Sequence, residues 1–546
     1  MAEAGSVNIA CRLSRMAARR PDAAALVFPR GGASRRLSFR ELDDDSDRCA
    51  RGLERLGVRR GTRTVLMVRP GPDFFALTFA LFKLGAVPVL VDPGLGLRGL
   101  GRCLSEAEPE AFIAVPLAHA ARALLGWARA TLTLRIVAGP RFLPGLTTLA
   151  EVRRLGEGGR YEAAPTLPED TAAILFTSGS TGSPKGAVYS HGNFAAQVEL
   201  LGRHFGIEPG EVDLPTFPLF ALFDPALGMT AVIPEMDFTR PGSVEPRRIL
   251  DPIREHGVTH MFGSPALLDR VGRYGAERGV RLPSLKRVVS AGAPVPPKVI
   301  ERFTRLLPEG VQIHTPYGAT EALPVSSIAG GEVLAETRAA TAKGKGVCVG
   351  RPLPGVEVRV IRISEEPIAA WSPALLAPHG EVGELVVRGP QVTRSYYGRP
   401  DADRLAKIAL PGGEVAHRLG DLGYFDEEGR IWFCGRKSHR VSTPRGLLFT
   451  IPCEGVFNAH PAVRRSALVG VGAAPAQRPV LVVELERGFR PGPALRAELL
   501  ELGAGQPHTR CIADILFHPA LPVDIRHNAK IFREKLAVWA APRLRS

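Results

Sequence analysis

Between about Leu37 and residue 435, stretches of helical periodicity alternate with short apolar runs bounded by Gly and Pro. The runs include TVLMV (64–68), VPVLV (87–91), AAILF (172–176) and RVVSAG (287–292). Continuous apolar runs of this length between helices are the pattern of strands buried on both faces, so they predict α/β architecture with largely buried sheets. The most apolar stretch, Phe74 to Val91 (FFALTFALFKLGAVPVLV), is interrupted by Lys83, Gly85 and Pro88. It predicts a buried helix followed by a strand, not a membrane span. Ile9, Leu13 and Met16 fall at helical spacing and predict a first amphipathic helix. AVYSHGNF (187–194) reads as the start of another helix.

Near residue 350 the texture changes. EVRVIRI (357–363), GELVVRG (383–389) and GRIWFCG (429–435) are strands at short spacing with turn residues between them, as in an antiparallel barrel or meander. After GRKSHR (435–440) the chain carries further strands, SALVGVG (466–472) and VLVVELE (480–486), and its own helices, enough for a small α+β domain. The expected fold is therefore α/β. A large N-terminal domain (1–436) holds buried α/β sheets plus a distorted β-barrel, a polar hinge spans 437–440, and a small, mobile α+β C-terminal domain covers 441–546.

The length of 546 residues supports two or more domains. The net charge of +15 comes from 70 basic residues, of which only ten are Lys, so sixty are Arg. They are scattered, with no run of five or more, which reads as a solvated surface and not as a nucleic-acid site; positive potential also suits a polyanionic substrate. Seven cysteines, an odd number without a CxxC pair, argue against a disulfide scaffold or a zinc site and fit a reducing cytoplasm. The first twenty residues lack the apolar core of a signal peptide, and no transmembrane segment is expected.

The strongest chemical signal is FTSGSTGSPKG (176–186), which follows the apolar run AAILF. Such a loop turns backbone N–H groups and hydroxyls toward phosphate oxygens, with Lys185 as a cationic partner. It does not match GxxxxGK[ST] and so is not a Walker A loop.

This loop resembles the phosphate loop of the AMP-forming superfamily of acyl-CoA synthetases, luciferases and peptide-synthetase adenylation domains. Further motifs follow in the family's order. YGATE (317–321) resembles the adenine and magnesium motif, HRLGDLGYFDEEGRIWFCGRK (417–437) the ribose motif and hinge, and LPVDIRHNAKIFREKL (521–536) the C-terminal lysine motif, while LSFRELD (37–43) extends the similarity toward the start. The resemblance implies ATP and Mg²⁺ as cofactors. It places Thr177, Ser178, Gly179, Ser180, Thr181 and Gly182 with Lys185 around phosphates. Tyr317 would stack on adenine, with Gly318 and Ala319 beside it and Gly292, Ala293 and Pro294 opposite. Glu321 would hold Mg²⁺, with Thr181 or Thr320 on phosphate oxygens. Asp421 would take the ribose hydroxyls, assisted by Arg436, and Lys530 the reacting carboxylate and α-phosphate. The plainer reading of Asp421 and Arg436 is a structural ion pair, and of Lys530 a surface lysine.

The departures from the family carry information. Ala221, in FPLFALFDPALG (217–228), stands where many acyl-CoA synthetases carry a His; the hinge position is Ser438, where Asp or Lys is usual. Pro444 and Arg445 occupy the place of a Gly-Gly pair on the pantetheine route, and Ala529 replaces a Gly. Adenylation is expected to be intact and the route for CoA altered. FPLFALFDPALGMTAVIPEMDFTRPG (217–242) and RHNAKIFREKLAVWA (526–540) resemble the β-lactone synthetases of bacterial long-chain olefin biosynthesis. That likeness implies adenylation of a 2-alkyl-3-hydroxy fatty acid and its cyclisation to a β-lactone, with AMP and pyrophosphate released. It also implies a possible assembly with other olefin-pathway enzymes such as the β-lactone decarboxylase. The alternative is a long-chain acyl-CoA or acyl-carrier ligase. Phe217, Phe220, Phe223, Met229 and Phe262, with Ala221, are candidates for the acyl pocket, though residues this apolar also fit a plain core. His191, Glu235, Asp237 and Asp224 are candidates for the base that assists ring closure; His191 also matches a His common across the family beside the phosphate loop, which reads as structural.

Overall fold

The run Val87–Val91, buried at every position, lies inside a seven-stranded sheet of the computed structural model, which describes residues 7–177, 184–524 and 530–544. The strands run in the order Thr147–Thr148, Leu134–Val137, Ala111–Ala114, Arg63–Met67, Val87–Val91, Thr171–Thr177 and Lys185–Ser190. All pair in parallel except the last, which returns antiparallel to Thr171–Thr177. A nine-stranded sheet holds the parallel strands Thr230–Val232, Val212–Pro215, His260–Phe262, Arg287–Val289 and Gln312–Ala319 at its centre.

The Pro72–Leu84 helix is apolar on all faces and buries nearly its whole length. Its one charged group in the interior, Lys83, is 1% exposed and reaches Asp43 Oδ1 at 2.6 Å and Asp47 Oδ1 at 2.5 Å on the Phe39–Arg55 helix. Pairing is what makes a buried ammonium tolerable. The first helix runs Cys11–Arg19, with Leu13 fully buried.

Two expectations are corrected. AVYSHGNF does not open a helix: Lys185–Ser190 is a strand, because Gly186, Ala187, Val188 and Tyr189 complete the antiparallel ladder with Thr171–Thr177. The helix starts at His191, where Ser190 Oγ accepts from Asn193 N at 3.1 Å and Asn193 Oδ1 accepts from Ser190 N at 3.0 Å, a reciprocal cap. The strands Val347–Cys348, Glu357–Ile361, Gly383–Arg388, Lys407–Ala409, Val415–Phe425 and Ile431–Arg436 form a six-stranded antiparallel sheet, and among the described residues its pairing is an open path, not a closed barrel. The outer edge of Glu357–Ile361 is covered by a loop instead: Arg362 N donates to Leu375 O at 2.8 Å and Ala377 N to Val360 O at 3.0 Å. That covering protects an edge as closure would.

The smaller C-terminal domain is built on a three-stranded sheet, Val463–Val471, Arg478–Leu485 and Asp514–Phe517, with its own apolar core around Val456, Phe457, Leu468, Leu481 and Leu499. A 3₁₀ turn, Lys437–His439, connects it to the larger domain. Pro444 and Arg445 form the exposed two-residue turn of the hairpin Val441–Thr443/Gly446–Leu448, a place where the fixed φ of Pro fits. Among the described residues no helix is long and apolar enough to cross a membrane.

Candidate active site

Parallel strands end with their carbonyls and following loops on one side, and ligands bind at such ends. Here the ends of Val212–Pro215, His260–Phe262 and Arg287–Val289, the Gln312–Ala319 strand and the Lys530 segment converge on one cavity of about 1930 Å³. Pockets for drug-sized ligands measure roughly 300–1,000 Å³. This one has room for a nucleotide and a long acyl chain together.

The cavity collects most of the site residues expected from sequence: Lys185, Gly292, Ala293, Pro294, Tyr317, Gly318, Ala319, Thr320, Glu321, Asp421, Arg436 and Lys530. Thr177 is the last residue of its strand and pairs with Lys185. Ser178, Gly179, Ser180, Thr181 and Gly182 lie outside the described residues. Gly292 has φ +94°, and a Cβ at Gly318 would lie 2.6 Å from the Ala322 carbonyl oxygen, so both positions require glycine.

Tyr317 sits on a strand and not in a loop, and its hydroxyl donates to Asp421 Oδ2 at 2.6 Å. Asp421 is 4% exposed. Arg436 Nη1 lies 3.0 Å from Asp421 Oδ1 but donates to the Leu419 carbonyl at 2.8 Å, so Oδ1 has charge compensation and no hydrogen-bond donor among the described residues. Burial pushes the Asp421 carboxyl above its ordinary range, and Arg436, Tyr317 and Lys530 oppose that rise. A buried acceptor without a donor, facing a cavity, fits a ribose hydroxyl.

Glu321 Oε1 accepts from the Tyr396 hydroxyl at 2.6 Å. Two ammonium groups lie over the Tyr396 ring, Lys185 Nζ at 5.0 Å and Lys407 Nζ at 5.6 Å from the centroid. Lys407 is buried and donates to the Thr393 carbonyl; burial lowers its pKa to about 8 against the pull of Glu321 and Asp403. Sequence reading missed Tyr396, Asp403 and Lys407. The only signal was the Tyr pair in RSYYGRP (394–400), which stands 75 residues from Glu321. Beside Lys530, Val523 and Ile531 form a bridge, and Asp524 N donates to the Lys530 carbonyl at 2.9 Å.

At the acyl end, Phe217, Phe220, Phe223 and Phe262 line the cavity, whereas Ala221 and Met229 are not among its lining residues and are buried behind the wall. The rings form two sets. The Phe220 ring packs edge-on to Phe217 at 5.1 Å and tilted against Phe262 at 4.6 Å, while Phe194 lies 6.3 Å from Phe223 and 5.7 Å from Phe82. None of the four base candidates lines the cavity. Glu235 is exposed and paired with Arg248, and Asp237 is exposed and accepts from Thr239 N at 2.9 Å. Asp224 is buried against Asp213, and burial raises both carboxyls. His191 is fully buried, its Nδ1 accepts from Ile9 N at 3.3 Å, and burial lowers its pKa to about 4.

That depression gives a test. His191 contributes stability that is complete above the unfolded pKa of about 6.5 and is lost as pH falls through about 4, because the unfolded chain takes up the proton first. His191→Gln should leave activity within a few-fold of wild type. It should also flatten the fall in stability between pH 6.5 and 4, a difference on the order of 2 kcal/mol, read by denaturant titration at each pH. Loss of catalysis with an unchanged pH profile would restore the imidazole as a base.

One cavity thus brings together Tyr317 with Asp421, Glu321, the cations Lys185 and Lys530, and a group of phenylalanines. The chain belongs to the AMP-binding enzyme family, whose model matches residues 13–397. Within it, the chain falls with the olefin beta-lactone synthetases: it is 55% identical to that of Stenotrophomonas maltophilia (strain K279a), over 98% of both chains. It is 52% identical to that of Xanthomonas campestris pv. campestris (strain ATCC 33913), over 98% of this chain and 97% of the relative. The fold matches the crystal structure of the anthranilate CoA ligase AuaEII in complex with anthranoyl-AMP, at TM-score 0.81 and 20% identity over 100% of this chain and 99% of that one. The protein is an ATP-dependent ligase-type enzyme.

Proposed function

We propose that the enzyme adenylates a 2-alkyl-3-hydroxy fatty acid and closes it to a cis-β-lactone in olefinic hydrocarbon biosynthesis, releasing AMP and pyrophosphate. The full-length kinship to two olefin beta-lactone synthetases carries this reading. The two aromatic sets along one cavity suit a substrate with two alkyl chains.

In the first half-reaction a carboxylate oxygen attacks the α-phosphorus and pyrophosphate leaves. We assign Lys530 to the carboxylate and α-phosphate and Lys185 to the departing pyrophosphate; cations aimed at developing charge lower such barriers. Tyr317 and the Gly292–Pro294 turn hold adenine, and Asp421 Oδ1 accepts from ribose. Among the described residues no group of three or more His, Cys, Asp or Glu could hold a metal alone. Glu321 with phosphate oxygens is the donor set Mg²⁺ usually takes, and the ion when bound neutralises phosphate charge. In the second half-reaction the 3-hydroxyl oxygen attacks the acyl carbon. The new C–O bond closes the ring, the bond to AMP breaks with its electron pair, and the hydroxyl proton is released. Orientation of the two groups substitutes for an external nucleophile, with effective molarities up to roughly 10⁵–10⁸ M in well-oriented systems.

We further propose that residues 1–436 and 441–546 move as body and lid about 437–440. We also propose that the enzyme works in the cytoplasm and passes its lactone to a neighbouring decarboxylase. The lactone reading is tested by supplying ATP, Mg²⁺ and the 3-hydroxy acid with and without CoA, and identifying products by NMR. The expected product is the lactone in both cases. The acid without its 3-hydroxyl should be adenylated and then stall. Abundant acyl-CoA from that deoxy acid would promote the ligase alternative instead.

A further inference from the structure

Among the described residues, two that line the cavity carry a buried side-chain acceptor without a donor: Asp421 at Oδ1 and Gln197 at Oε1. The first lies at the nucleotide end. The second lies at the acyl end, on the His191–Phe205 helix one turn beyond Phe194. Gln197 is 3% exposed. Its Nε2 donates to the Leu323 carbonyl at 2.8 Å, which fixes the amide orientation, since only the NH₂ group can donate to a carbonyl. Oε1 is therefore held as an acceptor; Phe82, Phe194, Phe223 and Leu323 line the cavity with it, as does Tyr189, whose hydroxyl donates to the Thr320 carbonyl.

An amide oxygen left unsatisfied in such surroundings is costly, so a ligand that brings an O–H or N–H to it is favoured over one that does not. Once the acid is joined to AMP, the only donor left on the acyl part of a 3-hydroxy acid is the 3-hydroxyl. We infer that Gln197 Oε1 accepts the hydrogen bond of the substrate's 3-hydroxyl, selecting 3-hydroxy acids and fixing the hydroxyl oxygen beside the acyl carbon. An amide cannot take up the proton, so this is a binding and orienting role.

The inference rests on the proposed substrate class, and its test is set on the adenylation step, so that it is decided separately from ring closure. The kcat/KM for pyrophosphate release is measured with a 2-alkyl-3-hydroxy acid and with its 3-deoxy counterpart. Wild type should favour the hydroxy acid roughly 10- to 100-fold, the size expected when a buried acceptor is left unpaired. Gln197→Leu should bring that ratio to within about twofold, and Gln197→Met should do the same if the Leu variant folds poorly. A role confined to supporting the Leu323 carbonyl would lower both acids together and leave the ratio untouched, which overturns the inference. Equal rates for the two acids in wild type overturn it too. If wild type keeps the preference but forms no lactone, the proposed function fails and the assignment of Gln197 stands.

Discussion

Lys530→Ala should lower adenylate formation by a factor on the order of 10²–10³, the usual loss when one group that stabilises transition-state charge is removed. The substitution should leave the fold unchanged, because the side chain faces the cavity and contributes nothing to either apolar cluster of the smaller domain. Pyrophosphate release from ATP and acid measures the first step; a synthetic acyl adenylate supplied directly measures the second. The mutant should cyclise the supplied adenylate at close to the wild-type rate. Equal damage in both assays would move Lys530 from adenylation to ring closure.

Arg533→Ala should have a different signature. Arg533 donates to Glu454 through three contacts of 3.1, 2.7 and 2.7 Å, and the Glu454 side chain is 5% exposed. Removing the guanidinium leaves that carboxylate buried and unpaired, a loss of about 3–5 kcal/mol. This pair joins the Thr450–Asn458 helix, which carries Glu454, to the start of the Arg533–Ala540 helix three residues after Lys530, so adenylation should fall as well. The diagnostic result is both effects together: a thermal transition of the smaller domain shifted down, and poor pyrophosphate release. A stable variant with full activity would show that the pair holds nothing in place.

The buried strands were legible because runs such as VPVLV bury every residue, so apolar character alone marks them. The site motifs were legible because a loop of Gly, Ser and Thr before a Lys has few uses. Other parts were not. VYS in AVYSHGNF is a strand because the upstream strand Thr171–Thr177 claims it, with Ala173 opposite Tyr189 sixteen residues away, and local propensity cannot reveal that partner. Tyr396 became part of the site only through a hydrogen bond to Glu321, and Gln197 only through an acceptor left open in three dimensions. Ala221 and Met229 share the apolar texture of their lining neighbours, and which side of a wall a residue faces is a tertiary fact.

Lys83 fixes the rotation of its helix as well as its charge balance. A cylinder that is greasy all round can be turned about its own axis with little change in the oil it displaces, so burial alone does not index the Pro72–Leu84 helix. The single ammonium, locked between Asp43 and Asp47, acts as a key in a keyway. It sets the azimuth of Phe74, Phe79 and Phe82, all of which border the acyl cavity. The dimensions of the space offered to an alkyl chain are thus set in part by a charge that does not line it.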